Sequence, residues 1–80
     1  MTLSDKMMEY CQDVLATRVV ELLVKRDGVP HTEALRRFMS TETYELLLDP
    51  ESYLYLESAE YVLDMMDAEQ SGNIGRWLEA

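Results

Sequence analysis

Apolar residues in the first third of this chain recur at helical spacing. Met8, Cys11, Leu15, Val19 and Leu22 fall on one stripe at intervals of three and four. From Val14 onward Ala16, Val20, Leu23 and Val24 form a second stripe. The pattern predicts a helix capped by Ser4 or Asp5 and running to about Arg26. Its two stripes cover more than half the circumference, so this helix is expected to be central, contacted from two sides or also meeting a second copy. Gly28 supplies a C-terminal cap, with Lys25 and Arg26 in the last turn and Pro30 just beyond.

The periodic segments shorten after Pro30. Thr32 is placed to cap a short second helix with Ala34, Leu35, Phe38 and Met39 inward and Arg36 and Arg37 outward. Ser40 or Thr41 starts a third helix of about two turns, with Tyr44, Leu47 and Leu48 inward. Asp49-Pro50-Glu51-Ser52 reads as a turn, since proline suits the second turn position and aspartate the first. In SYLYLES, leucines 54 and 56 alternate with tyrosines 53 and 55, which is strand periodicity. No second strand-like run exists to pair with it, and a lone strand leaves its backbone groups unpaired. An extended or single-turn bridge is therefore expected, with Leu54 and Leu56 pinned to the core. Ser58 then caps a last helix from residue 59 to about 70, whose buried face is Ala59, Val62, Leu63 and Met66.

The fold class that follows is all-α: one long central helix, two short helices, an extended bridge and a final helix. These make a single domain over residues 1–70. A loosely held C-terminal tail, 71–80, is anchored if at all by Trp77 and Leu78.

Composition sharpens this picture. Eighty residues at 48% hydrophobic content support one small core and leave no room for a deep, enclosed cavity. One cysteine excludes an intramolecular disulfide, and MTLSDKMMEY lacks the apolar run of a signal peptide. VLATRVVELLV is too short to span a membrane and carries Arg18 and Glu21. A soluble, reduced, cytoplasmic protein is expected.

Charge changes the picture more. Residues 1–40 hold six acids and six bases, whereas 41–80 hold ten acids against Arg76 and so carry the entire net charge of −9. Tyr44, Tyr53, Tyr55 and Tyr61 lie in that acidic half. Direct nucleic-acid binding is disfavoured, because affinity for phosphate rests on Lys and Arg. HTEALRRF followed by STETYELLL has helix-turn-helix spacing, but the second helix would bring Glu42 and Glu45 and no base to the duplex.

Catalytic chemistry finds little to stand on. Glu57 and Glu60 are close in sequence, yet acid–base work needs environments that separate carboxylate pKa values, and both belong to a solvated helix start. His31 has no second ligand type at metal spacing. Cys11 lies on an apolar stripe, where a small core residue is the ordinary reading. No glycine-rich phosphate loop or serine nucleophile elbow is present. DAEQSGNI (67–74) resembles the first two-thirds of an EF-hand calcium loop, but the position for a bidentate glutamate is Leu78 and Glu79 falls one place late. No cofactor and no metal site is assigned.

Acidic ridges remain. Glu57, Glu60, Asp64 and Asp67 recur at three, four and three, and Glu42, Glu45 and Asp49 at three and four. The bland reading is a solvated face that keeps a small protein soluble, or one paired in part with Arg36 and Arg37. The functional reading is an anionic surface bearing Tyr53 and Tyr55 that receives a basic protein partner. The run TYELLLDPESYLYLESAEYVLDMM, with the preceding EALRRF, resembles a class of small helical bacterial proteins of unknown function. These show a tyrosine–leucine helix, an acidic turn, an LYLES-type segment and a closing amphipathic helix. The resemblance covers residues 10–68, carries no catalytic motif, and has Ala59 where proline is expected. It implies a compact helical domain and a role beside other small proteins in toxin–antitoxin-like gene neighbourhoods.

The expectation is thus a non-enzymatic interaction module, antitoxin-like or regulatory, with Glu57, Glu60, Asp64, Asp67, Tyr53 and Tyr55 at the partner surface and helix 1 as a homodimer contact. The alternative is a small-ligand or metal-binding module using the tyrosine-rich bridge or the Asp67 loop.

Overall fold

Ser4 accepts a hydrogen bond from the Met7 amide through its side chain and so starts α1, Asp5–Asp27. The computed structural model describes residues 4–72. After α1 come α2 (His31–Met39) and α3 (Glu42–Leu48), two 3-10 turns (Pro50–Ser52 and Leu54–Leu56), and α4 (Ala59–Gln70). The described residues contain no strand, and the fold is all-α. At 1.5 Å per residue α1 is about 34 Å long, which accounts for most of the 39 Å longest dimension.

The boundaries follow local chemistry. Gly28 takes φ +66°, in the left-handed region that favours glycine, and returns its amide to the Val24 carbonyl at 2.9 Å. Thr41 caps α3 by accepting from the Tyr44 amide at 3.1 Å, and Ser58 caps α4 by accepting from the Tyr61 amide at 3.1 Å. The start of α2 departs from expectation. Pro30 rather than Thr32 is its N-cap, without a side-chain hydrogen bond, and Thr32 lies inside the first turn.

α1 packs against α2, α3, α4 and the second 3-10 turn. Leu15, Val19, Val20 and Leu23 enter the core from α1, Ala34 and Phe38 from α2, Leu47 from α3 and Val62, Leu63, Met65 and Met66 from α4. Met8, Cys11, Ala16, Leu22 and Val24 are partly buried against that core, so the chain's own elements cover most of the wide apolar arc. Phe38 meets Tyr44 edge-to-face, with ring centroids 5.2 Å apart.

Four apolar side chains expected inside lie outside: Leu35, Met39, Leu48 and Leu56. α2 offers the core one stripe, Ala34 and Phe38 four residues apart, which leaves Leu35 and Met39 on its flanks. Leu56 is displaced by the geometry of the bridge. A 3-10 turn has three residues per turn, so Leu54, Tyr55 and Leu56 point three ways instead of alternating. Leu54 and Tyr55 are buried and Leu56 is 61% exposed. Tyr53, at φ +55°, reverses the chain between the two turns. That conformation costs a non-glycine residue about 1 kcal/mol and ends any strand.

Three buried polar residues complete the interior. Gln12 donates to the Leu47 carbonyl at 3.1 Å, satisfying a carbonyl at the end of α3. The Thr41 hydroxyl donates to the Phe38 carbonyl at 2.6 Å. Thr43, wholly buried, is held by Glu69.

Candidate functional site

The acids of this protein divide by what holds them. One set is tied into the fold. Arg26, in the last turn of α1, reaches Asp67 on α4 at 2.7 Å and Asp27 at 2.9 Å. Arg37 on α2 lies 3.6 Å from Asp27 and 3.8 Å from Glu33, and Arg36 pairs with Glu33. Three arginines and three carboxylates therefore alternate across α1, α2 and α4. Hydrogen bonds from Arg26 hold the Asp27 carboxyl below its ordinary range, and those from Arg36 do the same for Glu33. Hydrogen bonds to Asp27 and then Asp67 hold the Arg26 guanidinium more firmly charged than usual.

Glu69 is tied differently. Its carboxylate accepts from the amides of Glu42 and Thr43, each at 2.9 Å, and from the Thr43 hydroxyl at 2.8 Å. These amides are the orphan donors of the α3 N-terminus, so the end of α4 caps the start of α3. Burial pushes this carboxyl up, but the hydrogen bonds from Glu42 and Thr43 together bring it below the ordinary glutamate range.

Between residues 41 and 72 stand nine acids and no base. With Asp67 and Glu69 engaged, seven remain: Glu42, Glu45, Asp49, Glu51, Glu57, Glu60 and Asp64. Among the described residues none of these makes an ion pair. Five of them line one continuous depression. Its larger part is a groove of about 460 Å³ between the end of α3, the bridge and α4. Leu46, Leu54, Met65 and Tyr61 supply apolar lining, and Asp49, Glu51 and Glu57 its charge. A shallower part of about 280 Å³ runs along α3 past Glu42 and Glu45 and shares Leu46 and Asp49 with the groove. Exposed Tyr53 and Leu56 stand on the same bridge.

The wall of this groove is fixed by hydrogen bonding. Asp49 accepts from the Glu51 amide at 3.0 Å through its side chain. The Ser52 hydroxyl lies within reach of the Leu46 and Asp49 carbonyls and accepts from the Leu54 amide at 3.2 Å. Such local bonds stand in for a helix ladder where proline and a left-handed residue forbid one. The acids are thus presented by an ordered loop.

The expected partner residues do not stay together. Glu57 precedes α4 and joins the groove. Glu60 turns toward α1, where it shares a depression with Arg18, Glu21 and Lys25. Asp67 is bound to Arg26, and Asp64 is exposed on the stripe between Glu60 and Asp67. Arg36 and Arg37, the alternative internal partners for part of this ridge, bind Asp27 and Glu33 instead. Tyr53 is exposed, but Tyr55 belongs to the core and leaves the surface. Glu51 and Leu46, absent from the expected set, are in the groove; the turn DPES could have signalled Glu51, since its acids had nowhere to go but out.

Among the described residues no group of three or more His, Cys, Asp or Glu could hold a metal ion. The calcium-like stretch begins in the last turn of α4, and its part beyond residue 72, like Trp77 and Leu78, lies outside the described residues. His31 is exposed and Cys11 half-buried. No helix among the described residues is long and apolar enough to cross a membrane. Fold and groove together define a small all-α domain with one face built of acids around an apolar floor. No protein-family model, no curated protein and no solved structure matches the chain.

Proposed function

We propose that this protein is a non-catalytic interaction module whose groove receives a basic, amphipathic segment of a partner protein. The observation that carries this reading is the groove itself: Asp49, Glu51 and Glu57 around Leu46, Leu54 and Met65. An occupant that satisfies both needs Lys or Arg to meet the rim and an aliphatic or aromatic side chain to meet the floor. A volume of about 460 Å³ accommodates one or two such side chains. Phosphate-bearing ligands are repelled by the same rim, which supports a protein partner over nucleic acid. The likeness to small helical bacterial proteins supplies a setting, an antitoxin-like or regulatory subunit held against a basic protein.

The test uses a synthetic amphipathic helix with Lys and Arg on one face and Leu and Trp on the other, titrated calorimetrically. The parent is expected to bind it with an affinity that falls as salt rises. Glu51→Lys combined with Glu57→Lys should weaken binding by about tenfold or more, because like charges then meet across the interface. The melting temperature should not move. Equal binding by parent and variant, or none by the parent at high-micromolar probe, overturns the reading.

A further inference from the structure

Arg76 is the one base between residues 41 and 80, and Trp77 and Leu78 follow it directly. We propose that residues 73–80, which lie outside the described residues, dock back into the depression along α3. Arg76 meets Glu45 and Asp49 there, Trp77 meets Leu46, and a basic partner must displace them. The inference rests on the reading of the groove given above and supplies its regulation: the chain carries its own competitor for that surface.

The start of this segment is fixed at the mouth of the depression. Glu69 binds the amides of Glu42 and Thr43, which joins the end of α4 to the beginning of α3. Gly72 lies three residues on, over the same side of α4. Its φ of +85° is in the left-handed region and turns the chain away from the α4 axis. Glu42, Glu45, Leu46 and Asp49 share one side of α3 and line the depression of about 280 Å³. From Glu42 to Asp49 is about 10 Å at 1.5 Å per residue. Residues 73–76, if extended, span up to about 14 Å, so Arg76 reaches Glu45 and Asp49.

Charge and side-chain type match as well. Glu42, Glu45 and Asp49 surround Leu46 with no cation among the described residues that line the depression. Arg76 supplies a cation and Trp77 an apolar face, whereas the segment's acid, Glu79, lies beyond them. No other stretch from residue 41 onward joins a base to an aromatic side chain. A contact of this size is weak between separate molecules. Tethered by a few residues it acts at an effective concentration on the order of millimolar, enough to hold the surface and little enough to yield to a partner.

Trp77 is the one tryptophan of the chain, so its fluorescence reads the contact directly. The parent should emit at shorter wavelength than an exposed indole and resist quenching by acrylamide, equally at low and high protein concentration. Arg76→Glu and Glu45→Lys should each expose Trp77, while Asp64→Lys, on the exposed stripe of α4, should not. An amphipathic peptide bearing Lys and Leu but no tryptophan should release Trp77 as it binds. Trp77→Ala, which leaves the charge unchanged, should bind that peptide about threefold more tightly or better, because the competitor is weakened. Melting curves confirm that each variant folds. An exposed Trp77 in the parent overturns the proposal, as does shielding that neither Arg76→Glu nor Glu45→Lys disturbs. Shielding that grows with protein concentration overturns it in favour of a second copy as the occupant. If parent and Trp77→Ala bind the peptide equally, the groove reading stands and this inference fails. If neither binds it, the groove reading fails, while shielding that Glu45→Lys releases still supports the docked segment.

Discussion

The junction of α1, α2 and α4 and the face made by α3, the bridge and α4 use the same carboxylates for opposite ends. At the junction every acid has a cation: Asp27, Glu33 and Asp67 alternate with Arg26, Arg36 and Arg37. Along α3 and the bridge Glu42, Glu45, Asp49, Glu51 and Glu57 gather around apolar floor with no cation among the described residues that line it. Pairing stabilises only modestly at the surface, about 0–1 kcal/mol per pair. The junction therefore orients three helices more than it holds them together. Gathered like charges are mildly unfavourable, and nothing in the packing of the core requires them. Asp49 also anchors the turn through the Glu51 amide; the gathering of the others is what the proposed partner surface would account for.

This contrast can be broken at several places, beginning with the core that both regions share. Phe38→Ala removes a wholly buried ring. It should cost about 3–5 kcal/mol, close to the whole stability of a domain this small. Thermal unfolding followed by circular dichroism should show a collapse of the transition. A small shift would mean that α2 is not integral to the core.

Glu69 comes next, an acid of the second half whose carboxylate joins α4 to the start of α3. Glu69→Gln should cost about 1–2 kcal/mol at neutral pH, as lost helix caps do. The effect has a sign in pH. The folded state holds this carboxyl below its ordinary range. Its contribution is therefore complete above the unfolded value, near pH 4, and disappears as pH falls through the lower folded value. Parent and variant melting temperatures should converge in acid. A gap that is constant with pH would assign the loss to shape instead of charge.

Glu60→Lys with Asp64→Lys probes the side of α4 that turns toward α1. Reversal of Glu60 sets a new cation beside Arg18 and Lys25, so a loss of a few tenths to about 1 kcal/mol is expected, with peptide binding unchanged. Smallest of all in stability should be Glu51→Lys with Glu57→Lys. These exposed acids have no internal partner, so the change should stay within about 0.5 kcal/mol. If this pair destabilises more than the Glu60 and Asp64 pair, the two faces have been assigned the wrong way round.

The element order was legible in the sequence because caps and periods are local. Ser4, Gly28, Thr41 and Ser58 mark helix ends through bonds to residues three or four away. What escaped was set by contacts distant in sequence. Gln12 is buried only because Leu47 offers a carbonyl 35 residues on, and Glu69 caps a helix that begins 27 residues earlier. The exchange of Leu56 for Tyr55 in the core arose from a left-handed Tyr53, which no periodicity announces. The acids expected on one ridge are divided between two faces. Spacing puts Glu57, Glu60, Asp64 and Asp67 in line, whereas the cap at Ser58 separates Glu57 from the helix and α1 claims Asp67.

The central claim is that the basic partner sits in the groove and not on the α4 ridge, and residue-resolved NMR tests it most directly. Titrating the isotope-labelled chain with the basic amphipathic peptide should move the signals of Leu46, Glu51, Leu54, Glu57, Tyr61 and Met65 together along one binding curve. The amides of Glu60 and Asp64, and those of the Arg26–Asp27–Arg37 junction, should stay nearly still. Shifts centred on Glu60 and Asp64, or scattered evenly over every exposed acid, would contradict the account.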